Sequence, residues 1–221
     1  MATDARRLTA LLQLASPALP VGAFCYSQGL ERAVHDGLVD DGDSARAWIF
    51  ALLRGPVSHF DGPVWWRLHH AWRIGDWPAF AQWNERYLAS REGAELRAES
   101  LQMGTSLVRL AVDLGLRAPS PDDLGFPAAF AALASELDVD PQDGLTAFLW
   151  CTVENQVAAA VKSVPLGQVA GQRILLAAHD EIASAVAMAA TLADDELASA
   201  APGLALASAL HETQYSRLFR S

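Results

Sequence analysis

The chain has 221 residues, is 52% hydrophobic, and carries 26 acidic against 16 basic side chains for a formal charge of −10. Such an acidic chain repels a phosphate backbone, and its single lysine, Lys162, leaves no basic cluster to offset that field; nucleic acid and anionic membrane surfaces are excluded as expected partners. Two cysteines, Cys25 and Cys151, are too few to staple a scaffold and fit a reducing, cytoplasmic compartment, and no window approaches the ~18 apolar residues of a membrane span.

Alanine and leucine dominate, and strict β-branched alternation is missing, so the expected fold is all-α: one bundle of about eight to ten helices. Leu8, Leu11, Leu12 and Ala15 recur at helical spacing, and Ser16-Pro-Ala-Leu-Pro-Val-Gly-Ala-Phe24 then breaks the pattern. A second helix is expected from Tyr26 to Leu38, and a third, capped by Asp43 or Ser44, through Leu52 and Leu53. Asp61-Gly-Pro63 and Asp76-Trp-Pro78 each read as a capping aspartate followed by an early proline. They open helices over Val64 to Ile74 and on toward Ala89. Leu96, Met103, Leu107, Leu110 and Leu114 mark a longer helix, and Leu124 to Leu137 a shorter one. Asp140-Pro141-Gln-Asp143 starts a helix that Pro165 kinks or ends, and Gly167 to about Leu192 resumes the pattern. Ala201-Pro-Gly203 precedes a final short helix or arm.

The residues offer little catalytic chemistry. His69 and His70 are adjacent and point ~100° apart on a helix, and neither cysteine has a second thiol nearby, so no metal site and no cofactor site is expected. The glycines of Pro165-Leu-Gly-Gln-Val-Ala-Gly171 lack the Lys-Ser/Thr of a nucleotide loop. With Ser163 they form a small-residue stripe for close helix packing. His35 lies ten residues beyond Cys25, too far along one helix to serve it as a base, so no catalytic residue is assigned.

Two polar clusters stand out. Arg91, Glu92, Glu95, Arg97 and Glu99 precede the longest helix, and Glu95 and Glu99 repel at i,i+4 unless a cation lies near. Glu154, Asn155, Gln156 and Lys162 sit in an alanine–valine-rich segment, where burial demands partners. Each cluster reads either as a structural network or as a partner-facing patch. The last eleven residues concentrate Tyr215, Arg217, Leu218, Phe219 and Arg220 after His211, Glu212 and Gln214. Aromatic and arginine side chains are the usual anchors of protein interfaces, so the segment reads as a docking element; the alternative is a last turn folded onto its own core. The expected division is a helical domain over 1–204 and a docking segment over 205–221.

Four segments, in order, resemble the F-type urease accessory protein family. They are Leu14 to Phe24 with Tyr26-Ser-Gln-Gly-Leu-Glu31, Ser90-Arg-Glu92 through Met103-Gly104, Ala158 to Gln168 with Gly171-Gln172, and His211 to Ser221. The resemblance implies a non-enzymatic, dimeric scaffold. Such a scaffold bridges the D-type (or H-type) accessory protein on apo-urease and the G-type GTPase, and couples GTP to nickel delivery. A direct nickel chaperone and a helical structural protein without an obligate partner are the alternatives. Carried onto this sequence, the resemblance implies partner-binding roles for Tyr26, Gln28, Glu31, Arg91, Glu92, Lys162, Gln168, Gln172, His211, Glu212, Gln214, Tyr215, Arg217, Leu218, Phe219 and Arg220. The chain departs from the family at Gly93, where threonine is common and a cap is lost, at Cys25, and at Lys162, where arginine is common.

Overall fold

A computed structural model describes residues 5–120 and 122–221. Among these residues the chain is helical throughout, without strands: α1 (Ala5–Leu14), α2 (Leu30–His35), α3 (Gly42–Leu52), α4 (Gly62–Ile74), α5 (Trp77–Ala89), α6 (Ala94–Asp113), α7 (Phe126–Glu136), α8 (Pro141–Ser163), α9 (Gln168–Ala189) and α10 (Pro202–His211). The all-α expectation holds, and most boundaries follow the punctuation read from the sequence. Asp76 and Asp140 cap α5 and α8 through bonds from the Ala79 and Gln142 amides, and Val164 ends α8 in extended conformation just before Pro165.

Three local readings change. The second helix begins at Leu30, because Gln28 (φ 52°) and Gly29 (φ 78°) turn the chain through the left-handed region first. The third is capped by Asp41, which accepts from the Ser44 amide while Ser44 answers in a capping box. The break expected at Asp61-Gly-Pro63 is absent. The chain stays wound from α3 into α4 through a wide π-type segment, Leu53–Asp61, bent at Gly55 (ψ −112°) ahead of Pro56. Proline has no N–H to donate there, so the ladder opens and residues are gained per turn. Asp61 has helical dihedrals and makes no cap, which frees its carboxylate for another use.

The core forms around α7, whose residues Pro127 to Ala134 are all buried. A helix apolar on every face belongs in the middle of a bundle, and α7 packs against α4 and α6 while α8 runs along α9. Trp65, Phe126, Phe130 and Phe148 meet there with ring centroids 5.6–6.4 Å apart, each such ring contributing ~1.5–3 kcal/mol by leaving water. Gly104 on α6 permits a close backbone approach: a Cβ there would stand 2.2 Å from the Leu124 carbonyl oxygen.

Candidate functional site

A polar cluster forms where the loop before α2, the first turns of α6, the middle of α8 and the last eleven residues meet. The loop is fixed first. Asn155 and Gln156 of α8 donate to the Tyr26 and Ser27 carbonyls at 3.0 and 2.8 Å. These bonds hold Gln28 in a left-handed conformation that costs a non-glycine residue ~1–3 kcal/mol. Gln28 then extends its amide to Glu99, donating at 2.7 Å. Tyr26 is buried and its hydroxyl donates to Gln102 at 2.8 Å; burial raises its pKa.

Beyond α10 the chain reverses and lies across this floor as a strap. Three carboxylates receive it. Glu31 accepts from the Leu218 and Phe219 amides at 2.6 and 3.0 Å, and faces His211 Nε2 at 3.2 Å. Glu95 meets His211 Nδ1 and the Arg217 guanidinium, both at 2.6 Å. Glu99, one turn further along α6, accepts from the Ser221 hydroxyl at 2.7 Å. The backbone zips as well: Ser27 donates through both its amide and its hydroxyl to the Ser221 main-chain oxygen, and the Arg220 amide donates to the Cys25 carbonyl at 2.8 Å. Glu212 accepts from the Ala94 amide at 2.9 Å. It thus supplies from the strap the helix-start acceptor that Gly93 lacks. The cation that Glu95 and Glu99 require at their spacing comes from the far end of the chain.

The strap has two faces. His211, Phe219 and Ser221 are buried at 0%, 6% and 1% exposure, whereas Tyr215 is fully exposed and Leu218 is 74% exposed. Arg217 and Arg220 are also on the outside, and Gln214 is partly buried, donating to the Ser216 carbonyl at 2.9 Å. Phe219 reaches the ring-to-cation neighbourhood of Lys162, whose Nζ lies 5.6 Å from its centroid and 5.9 Å from that of Phe24. The one lysine of the chain thereby joins loop, α8 and strap.

Arg91 stands beside this network, with its fork already spent. It holds Asp61 at 2.7 and 3.3 Å and lies 4.3 Å from the Tyr87 ring centre. Burial opposes the charge of Arg91, but Asp61, with Tyr87 and Glu99, outweighs it and holds the guanidinium pKa above the usual arginine value. Glu92 is exposed next to it, and Gln168 and Gln172 are exposed on the first turns of α9, outside the hydrogen bonds just described. The structure therefore brings Tyr26, Gln28, Glu31, Lys162 and the strap together, and leaves Gln168 and Gln172 on a separate surface.

Several residues central to the cluster were absent from the sequence-derived site: Ser27, Glu95, Glu99, Gln156 and Ser221. The repulsive Glu95–Glu99 spacing and the polar Gln156 in an alanine–valine-rich segment are the sequence signals that point to them. Below the floor lies a cavity of about 200 Å³, with Asp61, Arg91, Glu99, Cys151 and Gln156 in its wall. Burial pushes the Cys151 thiol up to about 12, which leaves almost no thiolate at neutral pH for nucleophilic work. Among the described residues no group of three or more His, Cys, Asp or Glu side chains is placed to hold a metal ion, and no helix is long and apolar enough to cross a membrane.

The comparisons give the family: the UreF family matches residues 39–179. The chain is 51% identical to the urease accessory protein UreF of Ralstonia pickettii (strain 12J), with 99% of this chain and 100% of the relative covered. It is 48% identical to that of Nitrosospira multiformis, over 98% of both, and 49% identical to that of Azoarcus sp. (strain BH72), over 97% of this chain and 95% of the relative. The chain belongs to the UreF family of urease accessory proteins.

Proposed function

We propose that this chain is a cytoplasmic, non-enzymatic scaffold of urease maturation. It bridges the D/H-type accessory protein on apo-urease and the G-type GTPase, acts as a homodimer, and couples the nucleotide state of the GTPase to nickel delivery. Its leverage over the GTPase is differential affinity for two nucleotide states, since equal affinity shifts no equilibrium. The docking segment lies within residues 205–221, and its contact side chains are those the fold leaves outside.

The observation that carries this reading is the division of labour along the strap. Tyr215 and Leu218 are large, exposed and unused by the fold, while His211, Phe219 and Ser221 anchor the segment from within. Interface energy concentrates in such side chains when a partner desolvates them. Gln168 and Gln172, exposed on a separate surface, are a second partner-facing patch.

The test is complex formation with the cognate D-type accessory protein, read by size-exclusion light scattering. Removing the whole segment after Leu210 confounds docking with folding, because it strips Glu31 and Glu95 of their partners. The informative variant is Tyr215→Ser with Leu218→Ser, which leaves every strap anchor in place. Loss of the complex with unchanged thermal melting supports the reading. An undiminished complex removes the strap as the docking element.

A further inference from the structure

The wall of the cavity below the floor contains two polar groups that the fold leaves short of partners. Glu99, 4% exposed, accepts only from neutral donors: the Gln28 amide on one oxygen and the Ser221 hydroxyl on the other, both at 2.7 Å. A carboxylate has room for about four such bonds. The one guanidinium in the same wall, that of Arg91, is committed to Asp61 at 2.7 and 3.3 Å. Gln156, 3% exposed, spends its amide nitrogen on the Ser27 carbonyl and stands 3.4 Å from the Gln28 side-chain oxygen, while its own Oε1 is buried without a partner. Gln28 thus joins the two groups, one a carboxylate with no cation in hydrogen-bond contact and the other an idle amide oxygen. Buried acceptors left in this condition are costly, and the cost falls when a donor arrives.

The rest of the wall is largely apolar, with Leu53, Val57, Met103, Phe148 and Val153 among its residues. Its volume of about 200 Å³ exceeds the ~150 Å³ of an apolar cavity that takes up benzene. Access is provided for as well. Pro17 to Phe24 supplies part of the wall, and among the described residues its backbone hydrogen bonds stay within the segment and its immediate neighbours. It can therefore lift without breaking a backbone bond to another helix. We propose that this cavity is a binding site for a small organic cation, an alkyl- or arylammonium whose N–H groups bond Glu99 and Gln156 Oε1 while its apolar body fills the remaining space. An anion of the same size would meet acceptors where it needs donors. The site belongs to the isolated chain and does not depend on the partner assignments above. Burial pushes the Glu99 carboxyl up to about 7, and a bound ammonium supplies the counter-charge that the neutral donors do not.

The experiment is calorimetric titration of the full chain at pH ~8, where Glu99 is ionised. The probe is benzylammonium, and the control is benzyl alcohol, which has the same shape without the charge. One equivalent of benzylammonium is expected to bind, about tenfold or more tighter than the alcohol, because a charge-assisted bond replaces a neutral one. Met103 locates the probe: it is 6% exposed and lines the cavity, whereas Met188 on α9 does not. The ¹³C methyl resonance of Met103 should therefore shift to saturation while that of Met188 stays in place. In Glu99→Gln the preference for the cation should fall to about onefold. Equal affinity for the two probes, a preference that survives Glu99→Gln, or a Met103 resonance that does not move would each overturn the proposal. Should Glu99→Gln fail to fold, the unsubstituted chain decides: a tenfold preference together with the Met103 shift supports the site, and the absence of either refutes it.

Discussion

Replacing Arg91 by alanine should be among the most damaging single changes in the molecule, and its cost is set by what it leaves behind. Arg91 and Asp61 have side chains only 14% and 13% exposed, and the guanidinium grips the carboxylate with two bonds while resting on Tyr87. Removing one partner of a buried pair strands the other charge at ~3–5 kcal/mol, and the lost ring contact adds ~0.5–1 kcal/mol. At ~2–4 °C per kcal/mol for a chain of this size, the melting temperature should fall by roughly 7–24 °C at pH 7.5. Burial already pushes Asp61 upward, so without Arg91 it should take a proton, and the loss should shrink toward pH 5. Asp61→Asn should remove most of the penalty, because an amide has no charge to strand. Calorimetry of the two single variants and the double variant at both pH values measures all of this. A loss below ~0.5 kcal/mol for Arg91→Ala, or an equal loss in the Asp61→Asn background, would refute the buried-pair reasoning. The same result bears on function, since any binding defect of Arg91→Ala must first be separated from its effect on the fold.

Two further changes test the packing that positions the site. Gly104→Ala drives a methyl to 2.2 Å from the Leu124 carbonyl oxygen and 3.0 Å from the Gly125 carbonyl carbon, both backbone atoms; a loss of ~1–3 kcal/mol in urea unfolding is expected, and a neutral outcome would show that the 124–125 turn yields freely. Phe219→Ala removes a buried ring from the strap, where a core phenylalanine is worth ~3–5 kcal/mol. Because the strap can lift locally, trypsin cleavage after Arg217 and Arg220 should accelerate more than the melting temperature falls; equal effects would mean that the strap unfolds only with the whole bundle.

How far the sequence could be read follows from the range of the forces involved. Caps and proline signals act over three or four residues, so Asp76 and Asp140 announce α5 and α8 correctly. The same signal fails at Asp61, where Arg91, thirty residues away in the chain, offers the carboxylate a better partner and the helix runs on through a π-type segment. At Gln28 the local pattern favoured helix, but bonds from α8 to the two preceding carbonyls hold the loop and a left-handed turn wins. In each case a long-range hydrogen bond overrides a local preference of about 1 kcal/mol.

The strap shows the same limit at the level of the site. Its composition revealed that something was to be gripped, since two arginines, two aromatics and a histidine in eleven residues are costly to leave idle. Composition could not reveal the direction of the grip, because a phenylalanine that anchors a segment to its own core and one that docks on a partner are chemically identical. Side-chain direction decides between them. Phe219 turns inward beside Lys162 while its neighbour Leu218 turns out, although the backbone amides of both are held by the same Glu31 carboxylate. Inward residues set how long the segment stays closed, and outward residues set what it can recognise. Substitutions in the two sets should therefore separate in experiment: changes at His211, Phe219 or Ser221 should alter strap protection without a partner present, and changes at Tyr215 or Leu218 should matter only once a partner is added.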